Sequence, residues 1–125
     1  MPGMLRFVIL RHETPADYPR PAHFDLMLEQ ENVLWTWALE KLPAPGESVI
    51  AERLPDHRLM YLDYEGVIAG GRGNVSRVEV GECEWIEQSP GELKVRLRGS
   101  TIDGVLRLTL RPEGPLQWDL WLSEK

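Results

Sequence analysis

HFDLMLEQENVLWTWAL, residues 23–39, is the stretch on which the fold turns. Residues 23–29 (HFDLMLE) alternate in the manner of a strand, and a second apolar run, residues 33–39 (VLWTWAL), follows the turn-like pair Glu31-Asn32. Two such runs joined by a short turn predict an antiparallel hairpin. Successive strand side chains point to opposite faces, so His23, Asp25 and Met27 share one face.

Working outward, short β-rich runs recur along the chain. They lie at residues 5–10 (LRFVIL), 48–51, 77–80, 83–86, 93–97, 105–110 and 116–122. Between them fall turn signals at residues 43–46 (PAPG), 70–74 (GGRGN), 89–91 (SPG) and 112–115 (PEGP). Ten prolines and eleven glycines cut the sequence into pieces too short for long helices. Many short strands with frequent turns predict an all-β fold, a barrel or sandwich. Residues 58–64 read equally well as strand or short helix. Residues 13–21 (ETPADYPRP) carry three prolines and are expected to stay out of any ladder.

With 125 residues the chain has length for one hydrophobic core, so a single domain spanning residues 1–125 is expected. A net charge of -6 argues against a generally basic nucleic-acid coat protein, although a local basic groove would survive it. Cys83 is the only cysteine, which rules out an intramolecular disulfide and suits a reducing cytoplasm. Its neighbours Glu82 and Glu84 oppose a reactive thiolate. No apolar run is long enough for a transmembrane helix. A cytoplasmic location, with no membrane partner, is the expectation.

The histidines carry the chemistry. On a strand, His23 and Asp25 present an imidazole and a carboxylate on one face, two ligands for one divalent metal. His12 ends the run at residues 5–10 and is expected at a strand edge, where it can join them. Two histidines and one carboxylate leave positions open for water and substrate, as a catalytic metal site requires. The plain alternative for the pair is a salt bridge. Further on, Arg53, His57 and Tyr61 are spaced four apart, which places them on one side of a strand or helix. A guanidinium, an imidazole and a phenol together suit phosphate oxygens, although ordinary surface alternation explains the spacing as well. A different triad, His23, Asp25 and His57, would imitate the iron site of non-haem oxygenases, but leaves His12 without a part.

Taken in order, these segments resemble the 3′-phosphoesterase domain of ligase D-type bacterial DNA repair enzymes. That family has a strand ending in histidine, matched by RFVILRH (residues 6–12), then an H-Y-D-F-R-L-E segment, matched by HFDLMLE. LWTWALEK (residues 34–41), RLPDHRLMYLDYEGVI (residues 53–68), GELKVRLRG (residues 91–99) and the Trp-containing last strand continue the match. The resemblance implies a small antiparallel β-barrel with short helical segments and an active-site groove on its outer surface. It implies removal of a 3′-phosphate or a 3′-terminal ribonucleotide from a DNA or RNA-terminated primer end, with Mn2+ as cofactor and Zn2+ as the alternative. By position, His12, His23 and Asp25 correspond to metal ligands and His57 to a phosphate-binding catalytic histidine, with Tyr61 and Arg53 in support. A separate ligase or polymerase would be the partner.

Two departures bear on activity. Where the family has arginine in H-x-D-x-R, this chain has Met27, which donates no hydrogen bond. Where the family has an acidic, glycine-rich segment, this chain has AGGRGNV (residues 69–75). Arg72 in that segment, or Arg20 among the upstream prolines, is the candidate replacement grip on phosphate; either also reads as a solvated loop residue. A homologue that binds metal and a phosphorylated ligand without turnover is therefore the second functional reading.

Overall fold

The computed structural model describes residues 4–124. Nine strands form one sheet: β1 (Leu5–Glu13), β2 (His23–Gln30), β3 (Val33–Leu39), β4 (Ser48–His57), β5 (Gly66–Val67), β6 (Asn74–Ser89), β7 (Glu92–Gly99), β8 (Asp103–Leu110) and β9 (Gln117–Ser123). All strand pairings are antiparallel. The order runs β1-β2-β3-β4-β9-β8-β7-β6, and β6 pairs back onto β1. The sheet therefore curls into a closed, barrel-like ring, which removes exposed edges from eight of its strands. The two-residue β5 extends it beside β6. The fold is all-β, as the sequence predicts.

The hairpin at residues 23–39 forms as expected, with Glu31 at φ 56° taking the tight turn. Alternation then decides what each face meets. Inward-facing Phe7, Ile9, Leu26, Leu28, Trp37 and Leu39 join the buried side chains of β7, β8 and β9 in the main core. Each such large side chain contributes roughly 1.5–3 kcal/mol by leaving water. Outward-facing Val8, Leu10 and Met27 are equally buried, because a second, smaller core covers them. Leu62 of the 3-10 helix Leu59–Leu62, Ile68 and Val75 form its lid. Residues 58–64, ambiguous in sequence, thus become the cover that makes the outer face of β1 and β2 a walled groove.

Residues 77–80 and 83–86 are not two strands but parts of the sixteen-residue β6. Gly81 does not break it; it lies opposite both Phe7 and Gly99, where three strands meet. A Cβ on Gly81 would overlap the Arg98 carbonyl oxygen, so closing the ring demands glycine there.

Candidate metal centre and groove

His12 and His23 stand directly opposite each other on β1 and β2, and Asp25 follows two residues on. Contrary to the expectation of a strand edge, His12 lies inside the ladder, paired to β2 on one side and to Val75 of β6 on the other. All three side chains are buried. One ligand atom from each lies within 4.8 Å of the others. The triad read from the sequence is assembled by nothing more than strand register.

The hydrogen bonds around it define its chemistry. Nε2 of His12 lies 2.7 Å from the carbonyl oxygen of Arg72, and Nδ1 of His23 lies 2.9 Å from that of Pro21. A carbonyl only accepts, so in each neutral ring that nitrogen carries the proton. The opposite nitrogens, His12 Nδ1 and His23 Nε2, then present lone pairs to Asp25. They stand 3.4 Å from its Oδ2 and 3.1 Å from its Oδ1. Oδ1 is buried with no hydrogen-bond partner, since the approach of His23 lacks hydrogen-bond alignment. Three electron-pair donors facing one another in a buried space require a cation among them.

Protons can supply that charge in part. Burial pulls the Asp25 carboxyl up, but its contacts with the His12 and His23 rings outweigh that and hold it down at about 2. The His12 ring is raised above its ordinary value by Asp25, against burial and with help from the Arg72 carbonyl. A divalent cation satisfies the same donors at once, and the set of two imidazoles and one carboxylate fits Mn2+ or Zn2+.

Loop geometry holds the outer end of this arrangement. Gly70, Gly71 and Gly73 all have positive φ, at 84°, 69° and 92°. Gly73 passes so close to β1 that a Cβ would overlap the Glu13 carbonyl oxygen. The resulting turn aims the Arg72 carbonyl at His12. The glycine-rich segment is thus a support for the ligand set.

A cavity of about 880 Å3 opens over the triad. His57 and Tyr61 line it, their rings edge to face with centroids 5.7 Å apart. Nδ1 of His57 lies 2.9 Å from the Pro55 carbonyl, which leaves Nε2 available for exchange with a ligand. Arg72 and Arg20 also line the cavity. Nε of Arg72 donates to the Ala69 carbonyl at 2.8 Å, while Arg20 is ion-paired with Glu52 at 2.9 Å. Met27 forms part of the floor and is 1% exposed.

Arg53 is placed elsewhere. It pairs with Trp37, faces inward, and its guanidinium lies 5.0 Å and 4.7 Å over the rings of Trp35 and Trp37. It is not among the residues lining the cavity. A β-bulge explains this: Thr36 pairs with Leu54 but Leu34 pairs with His57, so β4 holds one extra residue. That residue reverses the face on which later side chains emerge. Arg53 and His57, four apart, therefore point to opposite sides of the sheet.

Two lining residues carried no signal of their own in the sequence: Tyr18, whose ring centroid lies 5.8 Å from that of His12, and Arg58. The Cys83 thiol is buried and pushed up to about 12, by burial rather than by Glu82 or Glu84.

The sequence pattern of the DNA ligase D 3′-phosphoesterase domain matches residues 11–110, which contain His12, His23, Asp25, His57 and Tyr61. The chain belongs to that family. Ligase D phosphoesterase domains occur within larger proteins, among them the multifunctional non-homologous end joining protein LigD of Mycobacterium bovis. That protein is 32% identical over 95% of this chain, which spans 16% of the relative. The multifunctional non-homologous end joining DNA repair protein LigD of Mycobacterium tuberculosis strain CDC 1551 gives the same identity and coverage. Its counterpart in Pseudomonas aeruginosa is 34% identical over 94% of this chain and 15% of its own length. The chain thus spans about a sixth of these relatives. Among the described residues no helix is long and apolar enough to cross a membrane.

Proposed function

We propose that this chain is a metal-dependent phosphoesterase that processes 3′-phosphate or 3′-ribonucleotide ends of nucleic acid in DNA repair, folding as one domain. The observation that carries this reading is the convergence of one ligand atom each from His12, His23 and Asp25, all within 4.8 Å of one another, in a cavity that His57 also lines. Family membership supplies the end-processing context.

His12, His23 and Asp25 would hold the metal, Mn2+ in this proposal with Zn2+ as the alternative. When bound, it supplies Lewis acidity toward a phosphoryl oxygen and a more acidic water. The chain's own residues do the rest. Carbonyl oxygens of Arg72 and Pro21 fix the ring orientations, so the donors stay aimed at one point. His57, anchored through Nδ1 to Pro55, offers Nε2 to the phosphoryl group, where a proton on that nitrogen stabilises charge or passes to the leaving oxygen. The Tyr61 hydroxyl is the neutral donor beside it. Arg72 reaches the cavity from the glycine-rich turn and Arg20 from the proline-rich one. Arg53 is left out of this assignment by its position. The partner is a nucleic-acid 3′ end, with a ligase or polymerase acting on the processed product.

Met27 favours a second reading, a homologue that binds metal and a phosphorylated end without turnover. Loss of a charged contact to phosphate costs about 1.5–3 kcal/mol, or roughly ten- to a hundredfold in rate if the contact tightens in the transition state. The test is release of phosphate from a 3′-phosphorylated oligonucleotide with and without Mn2+. Tight metal-dependent binding with no release decides for the second reading.

A further inference from the structure

Residues 14–22 join β1 to β2. His12 and His23 already stand opposite each other, yet this connection exceeds the roughly 2–5 residues usual in a hairpin. The excess folds over the outer face as a strap, with Pro15, Pro19 and Pro21 stiffening it. The Tyr18 N–H donates to the Pro15 carbonyl at 3.0 Å, and the Thr14 hydroxyl donates to the Arg20 carbonyl at 2.9 Å.

Strand register explains what the strap reaches. Asp25 pairs with Ala38, and Ala38 with Glu52, so these three form one row across β2, β3 and β4. Residues directly opposite one another share a face, which puts Glu52 on the side of the metal ligands, two strand spacings or roughly 10 Å from Asp25. The small side chain of Ala38 between them leaves the row open to the strap. There Nη2 of Arg20 stands 2.9 Å from Oε2 of Glu52, each side chain 32% exposed.

Few rotations separate Arg20 from the carbonyl that matters. A residue before proline is confined to extended backbone, and the ring of Pro21 fixes its own φ. Holding Arg20 therefore holds the Pro21 carbonyl, which accepts from Nδ1 of His23 at 2.9 Å. We infer that Arg20 and Glu52 are a positioning pair for His23: their ion pair anchors the strap, so that the ring keeps Nε2 turned toward Asp25. Arg20 thus serves the ligand set and not phosphate. This rests on the metal-site reading of the proposed function.

The two rival roles predict the opposite sign. Arg20 brings positive charge toward a cation site, so by Coulomb attraction alone its removal tightens a divalent ion. As a phosphate grip, it would be released by loss of Glu52 and would tighten a phosphorylated end.

The test is calorimetric titration of Mn2+ into wild type, Arg20→Gln, Glu52→Gln, the double variant and the charge-exchanged Arg20→Glu/Glu52→Arg. Each single substitution is expected to weaken Mn2+ binding by about fivefold. The double variant should lose no more than either single one, and the exchange should recover most of the affinity. Ring-nitrogen NMR of the metal-free protein gives a second readout. His23 is expected to carry its proton on Nδ1 in wild type and to divide between tautomers in Arg20→Gln and Thr14→Val. Unchanged or tighter Mn2+ binding in Arg20→Gln, or additive losses in the double variant, overturns the inference. Tighter binding of a 3′-phosphorylated dinucleotide by Glu52→Gln assigns Arg20 to phosphate and overturns it as well. If the wild type takes up no Mn2+, the metal-site reading fails, and the His23 tautomer decides the pair by itself, an unchanged tautomer in Arg20→Gln counting against it.

Discussion

Nδ1 of His12 lies 3.4 Å from Oδ2 of Asp25, with both side chains buried and the other nitrogen of His12 committed to a backbone carbonyl. A carboxylate so placed is suited to be the anionic part of the proposed cation site. Asp25→Asn keeps the shape and removes the charge. Mn2+ at a hundred times its Kd is expected to stabilise the wild type by about 2.7 kcal/mol. Thermal unfolding of Asp25→Asn should show no Mn2+ response. An equal shift in both proteins would place the metal elsewhere.

Gly73 controls the site from outside it. Its φ of 92°, and the overlap that any Cβ there would make with the Glu13 carbonyl oxygen, leave no room for alanine without moving the turn. Gly73→Ala is expected to withdraw the Arg72 carbonyl from His12 and weaken Mn2+ binding by about 10–100-fold. Calorimetric titration checks this, with Gly114→Ala as the control, because a Cβ there meets nothing within 4 Å.

Met27→Arg should have two opposed effects. The new guanidinium restores a charged donor to the groove floor, and phosphate release is expected to rise by about tenfold. Met27 is also 1% exposed among Val8, Leu10, Leu34 and Leu62, so an arginine there must leave a packed apolar cluster. Stability is expected to fall by about 1–3 kcal/mol, read from the denaturant midpoint. A stable variant with unchanged turnover would show that Met27 does not limit catalysis.

Glu79, which the sequence did not single out, fastens the turn between β7 and β8. Its carboxylate accepts from Ser100 Oγ, Thr101 Oγ1 and the backbone N–H groups of Thr101 and Ile102. Burial pulls this carboxyl up, yet those donors outweigh it and hold it below its ordinary 4.5. The sign follows: its stabilisation is complete above pH 4.5 and is lost as pH falls through the lower folded value. Glu79→Ala is expected to cost about 1.5–3 kcal/mol at neutral pH by removing the carboxylate's hydrogen bonds to the part-buried turn. In urea titrations the gap between wild type and Glu79→Gln should narrow as pH drops below 4.5. A gap independent of pH would contradict the assignment.

The grouping of His12, His23 and Asp25 was legible because His23 and Asp25 obey the two-residue period of a strand, and register sets His12 opposite His23. Arg53 was misplaced because one extra residue in β4 reverses the faces, and Pro55 was the sole hint of that bulge. Gly81 lies between two runs that read as separate strands, 77–80 and 83–86; only the three-strand junction, invisible in sequence, requires glycine there. The structural work of residues 69–75 was hidden too. A backbone carbonyl serves His12, and no side-chain pattern records that contact.

Phosphoesterase chemistry at this centre is best probed by Mn2+-dependent phosphate release from a 3′-phosphorylated oligonucleotide, in wild type and His57→Ala, with bound metal measured in both. Release is expected to require Mn2+ and to fall by about 10²–10⁴-fold in His57→Ala while metal occupancy is unchanged. A wild type that binds Mn2+ in full, yet releases no more phosphate than His57→Ala, would refute that chemistry.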